Sequence, residues 1–337
     1  MNGPRVTVLI DTYNYGQFVE EAVQSVLTQD FPRDQIEIIV VDDGSTDDTS
    51  ERLQKYSSDI HYLRKPNGGQ ASAFNFGFEN ATGEIVALLD ADDVWLPNKL
   101  KAMCEAFEKN PAAGMVYHKV YIWDGNNETS LDPNFIEISG RVTESKSDLL
   151  KYPMSGTSCL AFRRDILKQL MPIPPGLRSQ ADAFLTALII FISPVAAVAE
   201  YLTKYRVHET NLYAMGDDGK QRKRLEHRIE MRGLLQKEIE SWLQAKGYDL
   251  QQPKIKAYLK QWDKAQEADG FALAAPGRWC YARHLFEFPR IYGENMTARH
   301  RFYSYIRAAG ALFLGYHHLH VLDDLRMSIK GQTGKNG

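Results

Sequence analysis

Three carboxylates fall within four positions of the sequence, directly behind an apolar stretch. In "VALLDADDVWLP" (86–97), Asp90, Asp92 and Asp93 follow a run that is typical of a buried strand. Like charges a few ångströms apart raise one another's pKa, so the three groups stay ionised at neutral pH only beside a compensating positive charge. Because every ligand here is an oxygen, the cation predicted is Mg²⁺ or Mn²⁺, ions that keep open positions for phosphate oxygens.

Other polar residues favour a nucleotide diphosphate as the partner of that cation. Tyr13 offers a flat face to a nucleobase, and Asp43 can accept the imide N–H of a uracil or a ribose hydroxyl. The glycines of "NGG" (67–69) allow the backbone to approach a ligand closely. Each feature alone also fits a core tyrosine or a capped turn, so only their occurrence together favours a nucleotide site.

The first hundred residues alternate between predicted strands and predicted helices. The strands are "RVTVLIDTYN", "IEIIVVDDGS", "IHYLRKP" and "EIVALLDADD", and the stretches between them place apolar residues on one helical face. This alternation predicts βαβ units and a mostly parallel sheet. Ligands bind beyond the carboxyl ends of the strands in such sheets. We therefore expect Tyr13, Asp43 and the three carboxylates to line one edge.

The middle of the chain, about 112–210, is predicted to be α+β. Its strands are "GMVYHKVYIW", "TSCLAFRR" and "VAEYLTKYRVH". The apolar run 183–199 contains Pro194, which favours a buried helix, a break and a buried strand over a membrane-spanning helix. From about residue 216 the pattern changes to long charged helices, one of which is predicted to end at Gly247.

Charge is distributed unevenly, although the net value is only −3. Residues 1–217 carry 30 acidic and 19 basic residues, a net of −11, while residues 218–337 carry +8. The acidic part suits a bound cation and the basic part an anionic surface or a solvated helical face. Three distant cysteines give no disulfide framework and no metal spacing, and the first apolar run is too short for a signal peptide. The expected location is the cytoplasm.

The segment 278–330 interleaves cations with aromatic residues. That pattern is typical of helices at an anionic membrane surface, and equally of aromatic residues that pack helices together. Both interpretations stay open. Nucleic acid is a poorer partner, because no recognised binding module is present and the first half is acidic. The first strand is followed by neither G-x-G-x-x-G nor the glycine-rich turn of sugar nucleotidyltransferases, which argues against both classes.

Taken together, the motifs resemble the family 2 inverting glycosyltransferases with the GT-A fold. The resemblance covers residues 4–211 and is carried by "TYN" (12–14), "VVDDGSTD" (40–47), "NGGQASAFNFG" (67–77), "LLDADD" (88–93), "GTSCLAFRRDIL" (156–167), Asp182 and "YRVH" (205–208). It implies a Rossmann-like α/β fold, with a mixed, mostly parallel sheet flanked by helices and a helical C-terminal extension. The implied catalytic domain is 1–215, with a nucleotide-sugar half (1–110) and an acceptor half (111–215), followed by a basic helical region (216–337).

The resemblance also assigns roles to single residues. The implied donor-binding residues are Asp11, Thr12, Tyr13, Asp43, Asn67, Gly69, Asp90 and Ala91. Among them Tyr13 and Asp43 would hold the nucleobase and Asp90 would reach the ribose. Asp92 and His208 would bind Mn²⁺ or Mg²⁺. Asp182 would be the base that takes the proton from the acceptor hydroxyl, opposite the leaving nucleotide.

The implied activity is metal-dependent, inverting transfer of a sugar from a UDP-sugar to a glycan or lipid-linked acceptor in cell-envelope polysaccharide synthesis. Such an acceptor would place the protein at the inner face of the plasma membrane. The sequence departs from the family pattern at three positions, and the missing Glu and Arg among them leave a second interpretation open, a non-catalytic scaffold that binds nucleotide sugars. Ala181 stands where Glu usually precedes the base, Phe74 replaces an Arg, and Asp11 replaces Pro or Thr.

Overall fold

The computed structural model describes residues 5–125, 128–130, 137–145, 149, 156–208, 211 and 221–273. The chain divides into two compact units, the first comprising residues 1–207 and 237–248, and the second comprising 208–236 and 249–337. The predicted domain boundary at 215/216 stays a prediction. The segment 278–330, for which membrane contact was predicted, lies outside the described residues.

The first unit contains a nine-stranded mixed sheet. Its strands are β1 (Val6–Thr12), β2 (Ile36–Asp42), β3 (His61–Arg64), β4 (Ile85–Asp90), β5 (Val94–Trp95), β6 (Met115–Trp123), β7 (Glu128–Ser130), β8 (Leu160–Arg163) and β9 (Val195–Arg206). The described α-helices are α1 (Gly16–Leu27), α2 (Thr49–Leu53), α3 (Gln70–Asn80), α4 (Lys99–Lys109), α5 (Arg164–Leu167), α6 (Ala181–Ile192), α7 (Gln221–Ala245) and α8 (Pro253–Leu273). The predicted α/β class with flanking helices is confirmed.

Strand order is β3-β2-β1-β4-β8-β6-β9-β5, with β7 paired to β6. The first four strands are mutually parallel, whereas β8 runs antiparallel to both β4 and β6. In this register Thr12 lies opposite Asp42, and Asp11 lies opposite Asp90. The polar residues that follow three separate strands are therefore brought to one edge of the sheet, as predicted.

The core forms because the central strands are apolar on both faces. Val8, Ile10, Ile38 and Val40 are almost completely buried and pack with the apolar face of α1, which includes Val23. Such continuous apolar runs are typical of parallel strands covered by helices on both sides. A rigid central sheet of this kind fixes the positions of the strand ends, where the candidate site lies.

The apolar run 183–199 has the predicted structure. Helix α6 ends at Ile192, and β9 begins at Val195 after the Ser193–Pro194 break. Among the described residues, no helix combines the length and apolar character needed to cross a membrane. The predicted strand "TSCLAFRR" starts later than expected, because residues 157–159 form a 3₁₀ turn and β8 begins at Leu160. That turn places side chains of Thr157 and Ser158 beside the carboxylates.

In the second unit, α8 buries Ile255, Tyr258, Leu259 and Trp262, a spacing that places all four on one helical face. The side chain of Gln236 donates a hydrogen bond to Asp263 Oδ1 at 2.8 Å, which ties the second unit's part of α7 to α8. Helix α7 ends two residues before Gly247, whose φ of +82° fits the predicted C-terminal cap.

Candidate active site

Asp90, Asp92 and Asp93 lie together at the end of β4. Each offers a carboxylate oxygen, and these three oxygens lie within 4.8 Å of one another. Asp93 Oδ2 is buried without a hydrogen-bond partner among the described residues, and so is Asp11 Oδ1 on the neighbouring strand. Unsatisfied, buried anionic oxygens are costly unless a cation binds them. The donor set therefore fits a hard divalent cation such as Mg²⁺ or Mn²⁺.

The carboxylates strongly perturb one another's ionisation. Burial raises the pKa of Asp93 to about 8, and the charge of Asp92 acts in the same direction. Burial also raises the pKa of Asp11 to about 7. The pKa of Asp90 lies well above its usual range because of burial and the charges of Asp11, Asp92 and Asp93. Without a cation, the cluster therefore retains protons near neutral pH.

Metal binding is expected to release protons and to tighten as pH rises. Below pH 7 to 8, Asp11 and Asp93 hold protons that a cation must displace, and above that range they are already ionised. The apparent affinity for Mn²⁺ should therefore increase between about pH 6 and 8.5. Calorimetry in buffers with different ionisation enthalpies measures the protons released. An affinity that is flat with pH, with no proton release, would contradict the raised pKa values.

Arg206 braces the turn that carries the carboxylates. Its Nε donates to the carbonyl oxygen of Asp92 at 2.8 Å, and its backbone N–H donates to Asp93 Oδ1 at 2.9 Å. Its Nη2 donates to Glu21 at 2.7 Å, and its guanidinium lies 4.2 Å from the ring centroid of Trp123. A planar fork with this many fixed partners cannot be replaced by a single ammonium group.

The substitution Arg206→Lys should therefore lower stability by about 1–3 kcal/mol and weaken Mn²⁺ binding. Thermal unfolding and calorimetry measure the two effects. Arg52→Lys is a matched control, because Arg52 is exposed and pairs with Glu20 and Asp48 at the surface. Because solvent screens exposed ion pairs, its effect on the unfolding temperature and on Mn²⁺ affinity should be too small to resolve. Equal behaviour of the two variants would mean that Arg206 does not brace the turn.

Lys99 lies completely buried close to the turn that carries Asp90, Asp92 and Asp93. Its Nζ donates to the carbonyl oxygen of Ser158, lies 3.3 Å from Thr203 Oγ1, and lies 3.8 Å from the ring centroid of Trp95. Burial lowers the pKa of Lys99 to about 7, against the opposing effect of Asp93. Ser158 Oγ in turn accepts the backbone N–H of Asp90 at 3.0 Å. Lys99 thus supports the strand end that carries the first carboxylate.

On the nucleotide side, Tyr13 stands 46% exposed, which is unusual for a large ring among the described residues. Asn14 has a φ of +57°. Its side-chain oxygen accepts the backbone N–H of Thr46 at 2.8 Å, and its own backbone N–H donates to the hydroxyl oxygen of Ser45 at 2.9 Å. The turns after β1 and β2 are thereby locked together. An exposed ring on a fixed turn is a suitable platform for a base, and this role stays a prediction.

Asp43 has a structural role that the sequence did not indicate. Its carboxylate accepts the N–H groups of Gly68 at 2.9 Å and Gly69 at 2.7 Å, together with the ammonium of Lys65 at 2.6 Å. Asn67 also donates its side-chain amide to the carbonyl oxygen of Asp43 at 3.1 Å. Asp43 therefore shapes the "NGG" turn, whether or not it also contacts a nucleobase.

Gly69 is required where it stands. Its φ is +85°, and a Cβ atom there would lie 2.5 Å from Cα of Arg178. The two backbones consequently pack directly against each other.

Thr12, the last residue of β1, and Ala91, which directly follows β4, are both buried, and the N–H of Ala91 donates to the carbonyl oxygen of Asp11 at 3.2 Å. That Thr12, Gly69 and Ala91 contact a bound nucleotide sugar stays a prediction.

The predicted base, Asp182, lies in the first turn of α6. Its Oδ1 accepts the N–H of Ala183 at 2.8 Å, and its Oδ2 accepts the hydroxyl of Thr157 at 3.2 Å. Burial raises the pKa of Asp182, while these hydrogen bonds oppose the rise. Its charge contributes to the raised pKa of Asp11 and of Asp90. The structure therefore brings Asp182 into the neighbourhood of the carboxylate cluster.

His208 is the first residue of the second unit and lies two residues after the end of β9. Its backbone N–H donates to Asn211 Oδ1 at 2.5 Å. Its role as a metal ligand stays a prediction. Sequence reasoning missed the supporting residues Gln70, Thr157, Ser158, Lys99 and Arg206, although all but Lys99 lie inside quoted motifs. Burial was the missing signal, since lysine and arginine are rarely buried and nothing in a single sequence marks the exceptions.

Comparisons with known proteins agree with this geometry. Residues 7–171 match the family model "Glycosyl transferase family 2". The uncharacterised glycosyltransferase alr2836 of Nostoc sp. is 37% identical over 217 residues, which cover 61% of this chain and 66% of that protein. TuaG of Bacillus subtilis, named for teichuronic acid biosynthesis, is 35% identical over 185 residues, covering 53% of this chain and 69% of TuaG. The chain spans just under two thirds of the length of alr2836 and of RT0329 of Rickettsia typhi, which is 31% identical.

Solved structures show the same fold at lower identity. S. aureus TarS (1–349) with UDP superposes with a TM-score of 0.60 at 19% identity, covering 92% of each chain. The mannosyltransferase PcManGT of Pyrobaculum calidifontis, with GDP-Man and Mn²⁺, gives 0.54 at 20% identity, covering 99% of this chain and 88% of that chain. The sheet, the acidic strand ends and these likenesses lead to one conclusion: the chain belongs to glycosyltransferase family 2 and has the GT-A fold.

Proposed function

We propose that this protein is a metal-dependent, inverting glycosyltransferase that moves a sugar from a UDP-sugar to a glycan or lipid-linked acceptor of the cell envelope. The observation that carries the proposal is the cluster of Asp90, Asp92 and Asp93, whose ligand oxygens lie within 4.8 Å of one another at the carboxyl end of β4. Ionised carboxylates this close together favour a bound divalent cation, and such a cation suits a diphosphate.

The carboxyl groups would have different roles, which depend on where each of them lies. Asp92 would hold the cation, which when bound would neutralise charge that develops on the leaving diphosphate, and Asp90 would reach the ribose of the donor. Asp182 would accept the proton of the acceptor hydroxyl as that oxygen attacks the anomeric carbon from the side opposite the nucleotide. Tyr13 would stack on the nucleobase, and the turn 67–69, in which Asn67 is exposed and both glycines are half-buried, would approach the donor.

Support for the donor and acceptor classes comes from the relatives' own names. TarS has been crystallised with UDP and with UDP-GlcNAc, PcManGT with Mn²⁺, and TuaG is named for teichuronic acid biosynthesis. The teichuronic acid in TuaG's name favours an acceptor of the cell envelope. Nothing in the described residues or in these relatives favours the non-catalytic scaffold.

The direct test is release of UDP from a panel of nucleotide sugars, in the presence of Mn²⁺ and after chelation with EDTA. A working site should hydrolyse its own donor slowly when no acceptor is present, and only with the cation. The panel should include glucose, N-acetylglucosamine and glucuronate donors, with GDP-mannose as a nucleotide control. Failure to bind UDP in calorimetry with Mn²⁺ would overturn the proposal.

A further inference from the structure

A chain of three hydrogen bonds connects the "NGG" turn to Asp182. Gln70, the first residue of α3, follows directly after Gly69. Its Oε1 accepts the N–H of Ala181 at 3.0 Å, and its Nε2 donates to Thr157 Oγ1 at 3.3 Å. Thr157 Oγ1 then donates to Asp182 Oδ2 at 3.2 Å.

The direction of each hydrogen bond is fixed by the chemistry of its partners. A backbone N–H can only donate, so the amide oxygen of Gln70 must face Ala181 and its NH₂ must face Thr157. The NH₂ group can only donate as well, so the oxygen of Thr157 accepts from it. The one proton of the Thr157 hydroxyl is then free to point at Asp182. The backbone N–H of Thr157 also stabilises the carboxylate.

The surrounding backbone holds this chain in place. The N–H groups of Gln70 and Ala71, in the first turn of α3, donate to the carbonyl oxygens of Arg178 at 3.0 Å and Leu177 at 3.2 Å. Those donors would otherwise lack partners at a helix start. Thr157 is almost completely buried, so water cannot easily replace its hydroxyl. Residues before α6 therefore cap α3, and the first side chain of α3 reaches back to α6.

We infer that Gln70 and Thr157 are positioning residues that orient the Asp182 carboxylate for proton abstraction. The inference rests on the proposed function, because it needs Asp182 to act as the base. The side chains of Gln70 and Thr157 thus connect the "NGG" turn at the start of α3 to the proposed base at the start of α6.

The test compares substitutions that differ only in hydrogen-bond direction. Thr157→Val removes the hydroxyl, and Thr157→Ser retains it. Gln70→Glu keeps an oxygen for Ala181 but replaces the NH₂ donor with a second acceptor, so the Thr157 proton should turn away from Asp182. For Mn²⁺-dependent UDP release from UDP-N-acetylglucosamine, kcat should fall about tenfold or more in T157V and Q70E and stay near wild type in T157S. UDP affinity should be unchanged in all three.

The pH dependence adds a signal that a purely structural role would not give. Losing a donor to the ionised carboxylate raises the pKa of Asp182, so the acidic limb of the rate profile should move to higher pH in T157V and Q70E. Carboxyl ¹³C NMR of aspartate-labelled, metal-free protein measures the same pKa directly, with Asp182→Asn used for assignment. The described titratable groups whose pKa responds to the charge of Asp182 are Asp11, Asp90, Cys159 and Tyr205. Because Q70E adds a further carboxylate to this set, T157V is the variant that removes the hydrogen bond without adding a charge.

The two measurements separate the possible failures. If wild type does not hydrolyse the probe, its donor assignment fails, and the NMR titration still decides whether Gln70 and Thr157 act on Asp182. If wild type is active but T157V and Q70E keep its kcat and pH profile, the inference is wrong while the proposed function stands. An unchanged pKa of Asp182 in both variants overturns the inference in either case.

Discussion

Replacement of Asp182 with Asn should abolish sugar transfer and leave donor binding intact. Asn has nearly the same shape and can still accept the N–H of Ala183, but it cannot take a proton from the acceptor hydroxyl. General base catalysis contributes about 10²–10⁴-fold, so kcat should fall by about a thousandfold. Initial rates of UDP release in the presence of Mn²⁺ measure the loss, and calorimetry with UDP measures binding.

The matched control is Asp165→Asn, because Asp165 is an exposed acid at the start of α5. Its kcat should equal that of wild type, with a similar unfolding temperature. If D182N turns over normally while remaining folded, some other group is the base, and the positioning inference for Gln70 and Thr157 fails with it.

Replacement of Asp92 with Asn should remove metal-dependent UDP binding. Residues that only support a metal ligand cost about 10–100-fold in affinity when lost, so a direct ligand should cost about a hundredfold or more. The same change should stabilise the metal-free protein, because the charge of Asp92 raises the pKa of Asp11, Asp90 and Asp93. Calorimetry with Mn²⁺ and UDP, and thermal unfolding after chelation, measure these opposite effects.

Asp34→Asn serves as the control for charge alone, since Asp34 is exposed in the turn before β2. It should change neither Mn²⁺ affinity nor stability by more than about 0.5 kcal/mol. Metal affinity preserved in D92N would exclude Asp92 as a ligand. A lower unfolding temperature of metal-free D92N would mean that Asp92 makes a stabilising contact that outweighs its repulsion.

The fold was predictable because its signals are local. The strands that end at Thr12, Asp42 and Asp90 are continuous apolar runs, and the helices between them have a regular apolar face. Parallel pairing then determines that their carboxyl ends share an edge. The start of β8 was placed too early because the turn at 157–159 is held by contacts from distant elements. Local propensity cannot register such contacts.

The acidic residues of the candidate site could be predicted from the sequence, but the residues that hold them in place could not. Asp90 and Asp92 stood out by type and spacing and Asp182 through the family resemblance, whereas Lys99 and Arg206 act through burial against residues about 60 to 190 positions away. Asp43 shows the same limit, because its hydrogen bonds to Gly68 and Gly69 depend on a loop that approaches from another strand. A motif marks which residue matters, and only packing reveals which partner it needs.

Helix α6 and strand β9 form one uninterrupted stretch of chain, separated only by the break at Ser193–Pro194. Its beginning carries Asp182 and its end carries Arg206, which is bonded to the Asp92 and Asp93 turn. Anyone who builds chimaeras of this scaffold should accordingly exchange residues 181–206 as a single cassette. A crossover inside it would combine the predicted base of one parent with the other parent's support for the turn that carries Asp92 and Asp93.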